Sequence, residues 1–203
     1  MNPADPFARH LRRLLACRDC ATVEGRPVTG AVPGAKIMLV GQAPGPREGE
    51  AGMPFAWTAG QRLFSWFETL GVSEAEFRAR IHMCAVVRCF PGRNPNGKGD
   101  RVPSKSEIET CRKYLEREIE ILSPQLLIAV GTLAAAQFLE QSALAMTVGR
   151  LHRAIYAGHA VDVAVLPHPS GRSTWLNNDR HRNMLETTLA LIAAHAAFRQ
   201  TFR

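Results

Sequence analysis

Residues 36–61 read KIMLVGQAPGPREGEAGMPFAWTAGQ, and the architecture of the chain can be argued outward from them. The apolar run over residues 37–40 has the length of a short buried strand, and Gly41 closes it. Gly41-Gln42-Ala43-Pro44-Gly45 must then turn sharply at the strand's carboxyl end, the edge where open α/β sheets bind ligands. Thr58-x-x-Gln61 has capping-box form and predicts a helix through Leu63, Phe64, Phe67 and Leu70.

The same alternation continues on both sides. A short basic helix is expected over residues 7–16, followed by a Gly- and Pro-punctuated connector over 21–35. Ser73 opens a second helix after the glycine-rich loop, and residues 82–87 (HMCAVV) form the next strand. The polar loop GRNPNGKGDRVP separates it from a helix capped by Ser104 and Glu107. In that helix Ile108, Cys111, Leu115, Ile119 and Leu122 make an apolar stripe that directs Cys111 inward, toward Cys89. Strands over 126–130 and 161–166 follow, the first leading through Gly131 and Thr132 into a helix LAAAQFL. A short strand is expected near 154–156, and a last helix over 179–198. Strands alternating with helices predict an α/β domain spanning 1–203, a three-layer αβα sandwich on a central, mainly parallel four-stranded sheet.

A chain of 203 residues, 46% of them hydrophobic, suits one domain with a substantial core. No apolar stretch approaches the roughly 20 residues of a membrane span, and the amino-terminal stretch has no signal-peptide pattern. A cytoplasmic protein, monomeric and without a membrane partner, is the expectation. The net charge of +7, carried largely by arginine, suits a polyanionic partner.

Five cysteines in a reducing compartment argue against a disulfide framework. Cys17-x2-Cys20 has metal-ligand spacing and sits in polar sequence beside Arg18 and Asp19. With Cys89 and Cys111 it makes four thiols able to hold zinc or an iron–sulfur cluster, and spacing does not choose between them. The alternative is a set of buried thiols acting as small hydrophobes, the reading adopted for Cys84.

GQAPGPREGEAGMPF with the following AGQ resembles the first motif of the uracil-DNA glycosylase superfamily, and HPSGRS (168–173) resembles its second. Cys17, Cys20, Cys89 and Cys111 fall in the order of the cluster ligands of its iron–sulfur branch, family 4. The resemblance implies excision of uracil from DNA by hydrolysis of the N-glycosidic bond after base flipping, in base excision repair. It further implies a 4Fe–4S cluster on the four cysteines, with zinc as the alternative, and DNA containing uracil or another damaged base as partner.

By the same resemblance His168 stabilises the departing base anion, Phe55 stacks on the flipped base, and Gln42 and Ala43 line the base site. Pro44, Gly45, Ser170, Gly171, Arg172 and Ser173 would meet the DNA backbone and groove. A core phenylalanine and a solvated arginine are the plain alternatives for Phe55 and Arg172.

Three departures stand out. The water-activating aspartate of the best-known members falls at Ala43, the glutamate of the GEAPG branch at Gln42, and the uracil-reading asparagine at Ala85. Glutamine orients a water or a base but cannot take its proton. Glu48 and Glu50 read as solvated loop carboxylates, and Gln42, backbone groups, or Asn94, Asn96, Asn177 or Asn178 as substitutes for the missing asparagine. Arg93, Lys98 and Arg101 read as phosphate contacts or as solvated loop charges. The rival functions are removal of another deaminated base, such as hypoxanthine or xanthine, and non-catalytic binding of damaged or single-stranded nucleic acid.

Overall fold

The computed structural model describes residues 5–97, 99–171 and 173–203. Five strands form one sheet in the order β2-β1-β3-β5-β4: β1 (Ile37–Gly41), β2 (His82–Ala85), β3 (Leu126–Val130), β4 (Leu151–Tyr156) and β5 (His159–Leu166). The first three pair in parallel with one another and with β5, whereas β4 runs antiparallel to β5.

The expected four-stranded sheet is therefore short by one edge strand. Residues 154–156 are the end of that strand, which starts at Leu151 and has one buried residue, Ala154. An edge strand with a wet face presents few apolar residues, so only its last three are expected from sequence. Its hairpin also turns on Ala157 (φ +48°) and Gly158 (φ +73°), the two positive-φ positions of a tight hairpin turn without the usual Asn-Gly signature.

Alternate residues of each strand face opposite layers. Ile37 and Leu39 pack against α3 (Thr58–Glu68), α4 (Glu74–Arg80), α8 (Asp179–Ala194) and α9 (Ala196–Thr201) through Phe64, Phe67, Phe77, Leu189 and Phe198. Met38 and Val40 pack against α1 (Pro6–Leu15), α5 (Lys105–Leu122), α6 (Thr132–Ala135) and the turn after α7 (Leu144–Thr147) through Leu11, Leu115, Ile119, Ala134 and Val148. The remaining helix, α2 (Pro46–Ala51), lies in the first loop and buries no residue.

Ser73 and Ser104 cap their helices in full capping boxes, as expected. Thr58 does not. It is the first helical residue of α3, and Trp57 occupies the cap position with no side-chain bond. The helix expected after Thr132 is a single turn, and the carboxyl-terminal helix is broken in two at His195.

Candidate functional site

Parallel pairing puts the carboxyl ends of four strands on one edge. Gly41 is in register with Ala85, Val40 with Ala129, and Val130 with Leu166. Three polar loops leave this rim, and short contacts bind them to it.

In the first loop Phe55 turns back over β1. A Cβ on Gly41 would lie 3.2 Å from Phe55 Cζ, so a side chain there would push the ring off the strand end by a few tenths of an ångström. Phe55 has φ +53°, a left-handed conformation that is costly for a bulky residue. The surroundings hold it there. Arg78 donates from Nη1 to the Pro54 carbonyl (2.8 Å) and from Nη2 to the Phe55 carbonyl (2.9 Å). Gly60 of α3 passes so close that a Cβ would stand 1.7 Å from the Phe55 oxygen. The ring also belongs to the core, with 8% of the residue exposed, so the packing role read for it from sequence is filled whatever else it does.

Glu48 is not the solvated carboxylate expected. It accepts the Gly45 N–H (2.6 Å), and burial raises its pKa although the Gly45 and Phe55 amides favour its charged form. Glu50 is exposed and paired with Arg47. Pro44 is buried, and Gly45, whose N–H is taken by Glu48, is half-buried beside Ala43. Gln42 follows Gly41 at the rim, half-buried, with its carbonyl accepting the Val87 N–H (3.1 Å). Its carboxamide has no hydrogen-bond partner among the described residues.

In the third loop His168 lies against Gly131, 3.6 to 3.7 Å from where a Cβ would be, while the Gly131 N–H bonds the Leu166 carbonyl. The Ser170 N–H donates to His168 Nδ1 (3.2 Å), so the neutral ring carries its proton on Nε2. Burial lowers the His168 pKa and favours that neutral form. The Ser173 N–H bonds the Ser170 carbonyl and closes the turn, with Gly171 exposed at its tip. Arg172 and Lys98 lie outside the described residues.

Gln42, Phe55 and His168 thus occupy one rim. Ala85 stands there too, at the end of β2. Of the asparagines, Asn178 is committed to capping α8. The second loop reaches the first, with Asp100 Oδ2 3.5 Å from where a Gly45 Cβ would stand. Arg101 is not a free phosphate contact: it grips Glu107 (2.8 and 2.5 Å) and the Thr22 carbonyl (2.9 Å).

The cysteines form a separate pocket. Cys17, Cys20, Cys89 and Cys111 line one cavity of about 90 Å3, and none is in a disulfide. Burial pushes the Cys20 and Cys111 thiols up and Cys89 to about 12, each raised further by charge on the other cysteines. A cation among them reverses that repulsion and draws the protons off. The donor set therefore suits a metal centre.

Behind the pocket lies a charge network that the sequence reading missed. The fully buried Glu118 carboxylate receives Arg88 Nη1 (2.9 Å) and Nη2 (2.5 Å), with His10 Nε2 and His82 Nε2 each 3.2 Å away. Its pKa is held well below the ordinary carboxyl value by Arg88 and the two histidines, against the cost of burial. His82, Cys84 and Glu118 have ligand atoms within 4.8 Å of one another, but Arg88 already neutralises the carboxylate there. The Arg88 N–H also donates to Cys111 Sγ (3.4 Å), tying this network to the pocket.

A profile of the Uracil DNA glycosylase superfamily matches residues 27–191. The chain belongs to this superfamily. It is 35% identical over 150 residues to a type-4 uracil-DNA glycosylase of Pyrobaculum aerophilum, covering 69% of this chain and 71% of that protein. It is 30% identical to a type-4 enzyme of Archaeoglobus fulgidus, covering 79% of each. A type-5 uracil-DNA glycosylase of Pyrobaculum aerophilum is 28% identical over 80% of this chain and 72% of its own length. The rim lies within the matched region, and the cysteine pocket within or next to it. Among the described residues no helix is long and apolar enough to cross a membrane.

Proposed function

We propose that this chain is a monofunctional uracil-DNA glycosylase, a single domain over residues 1–203 that acts as a monomer in the cytoplasm. It hydrolyses the N-glycosidic bond of uracil in DNA for base excision repair. The observation that carries the reading is the His168 tautomer. With Nδ1 engaged by the Ser170 N–H, Nε2–H is the donor left for a substrate. Cleavage leaves a pyrimidine anion, and a neutral imidazole N–H aimed at the developing charge stabilises it without desolvating a cation. Phe55 supplies the ring on which the extruded base rests. Gln42 supplies an amide for orienting the base or the attacking water, but no general base. Ala43 lines the base site beside Gln42, and Pro44, Gly45, Ser170, Gly171 and Ser173 form the DNA-facing edge in this reading, with Arg172 assigned to the groove from sequence alone. The +7 net charge supports a polyanionic partner.

The four thiols are proposed as ligands of a 4Fe–4S cluster. A single zinc with Zn–S of about 2.3 Å draws its four sulfurs to about 3.8 Å from one another. The resemblance to the iron–sulfur branch, carried by these four cysteines in order, favours the cluster over zinc. When bound, the cluster supplies a structural anchor rather than the hydrolytic chemistry. Cys17 and Cys20 tie the amino-terminal segment, Cys89 the end of β2, and Cys111 helix α5.

Oligonucleotides with one uracil test the function. Excision is scored by strand cleavage at the abasic product, with hypoxanthine, xanthine and undamaged controls in parallel. The unaltered enzyme cuts at uracil, and His168→Asn lowers the rate about 100- to 1,000-fold. A mobility shift without cleavage favours the non-catalytic reading instead. Visible absorbance bleached by dithionite distinguishes the cluster from zinc.

A further inference from the structure

Trp57 is used by neither the core nor the chemistry described above. It is 58% exposed, belongs to neither buried cluster, and is the aromatic among the exposed large apolar side chains of the described residues. It also occupies the cap position of α3, where a residue that bonds the first-turn amides is preferred, and makes no such bond. Neither core packing nor helix capping therefore calls for an indole there.

Its placement does. Two residues away, Phe55 points down onto β1, and its backbone is locked by Arg78 and by the close passage of Gly60. The segment that presents Trp57 is thus anchored firmly at its neighbour Phe55. The Arg47 guanidinium lies 5.4 Å from the centre of the Trp57 ring and also pairs with Glu50 (3.1 Å). Met53, 39% exposed, is a second apolar group of the same loop.

Resting on the glycosylase reading, we propose that Trp57 is a stacking platform for the unpaired nucleobase next to the extruded one. Extrusion breaks the stack and bares a neighbouring base face. An indole accepts any base face, so the platform is tolerant of sequence and works best where the neighbour has no pairing partner. The positive charge of Arg47 favours the phosphate side of that nucleotide.

The test uses a single-stranded oligonucleotide with a tetrahydrofuran abasic analogue, its Kd read by fluorescence anisotropy, and the same strand in a duplex. Trp57→Ala weakens single-strand binding about tenfold or more and duplex binding less. Trp57→Phe stays near the unaltered protein, and Trp57→Leu, which keeps apolar bulk without a π-face, behaves like alanine. An alanine variant with unaltered Kd, or a leucine variant that binds like the original, overturns the platform. Uracil release by the unaltered enzyme is scored on matching strands. Its absence refutes the glycosylase reading, whereas release with an unaffected Trp57→Ala refutes the platform alone.

Discussion

The rim that carries Gln42, Phe55 and His168 and the cysteine pocket are held by opposite means. The rim is shaped by close approach: glycines at 41, 60 and 131, a phenylalanine at φ +53°, and a neutral imidazole. The pocket is bound by charge, with Arg88 on Glu118, Arg101 on Glu107 and Lys113 on Asp19. In the proposed reading the rim receives a flat base that departs as an anion, which calls for shape and one well-aimed donor. The pocket must join segments far apart in sequence, one of them a connector with no regular structure, and ion pairs bridge such segments where no continuous apolar face exists.

This contrast breaks most visibly at Glu118. Its removal leaves the Arg88 guanidinium, 1% exposed, without a counter-charge. Glu118→Ala is expected to cost about 3–5 kcal/mol in urea unfolding, because an uncompensated buried charge remains. Glu118 and Glu107 (about 2) both titrate below the ordinary carboxyl value of about 4.3. The unfolded chain then binds more protons below that value, so their stabilisation is whole above about pH 4.3 and drains as pH falls toward 2. Acid unfolding that begins well above this window would show that the pocket is not held by these pairs.

Gly60→Ala probes the rim in the same units. A Cβ 1.7 Å from a backbone oxygen forces Phe55 or α3 to move, for about 1–3 kcal/mol of stability. Because the displaced residue carries the proposed stacking ring, uracil excision should fall further than stability does. Equal losses in thermal melts and in single-turnover rates would make Phe55 a core residue only.

Much of this contrast was legible in the sequence. Apolar runs at 37–40, 82–87 and 126–130 and the Ser104–Glu107 box fixed the layers, because buried parallel strands and capped helices carry local signals. The loops bearing Gln42, Phe55 and His168 followed from strand direction. The charge network did not, although a trace exists: Glu118 falls on the α5 stripe between Leu115 and Leu122, a charged residue among apolar ones. A lone acid on an apolar face announces a buried partner, but sequence separation hides that the partner is Arg88. The Arg78 clamp was equally invisible. Its i,i+4 pairing with Glu74 reads as an ordinary surface bridge, and only the fold shows it donating to the carbonyls of residues 54 and 55.

The mildest prediction concerns the acid limb of the rim. Burial lowers the His168 pKa below 6.5, so the neutral ring survives to more acidic pH than a free histidine does. Protonation would also place a hydrogen on Nδ1 facing the Ser170 N–H at 3.2 Å, setting two donors against each other and opening the 168–170 turn. Both effects act in the same direction. Single-turnover excision should therefore hold steady as pH falls through 6.5 and decline only below it. The pocket's ion pairs are fully charged across that interval, so thermal stability should change little while the rate begins to fall. An acid limb centred at or above 6.5 would mean that the imidazole is solvated in the working enzyme. The neutral donor would then have to be sought elsewhere on the rim, with the half-buried Gln42 carboxamide next to Gly41 as the candidate.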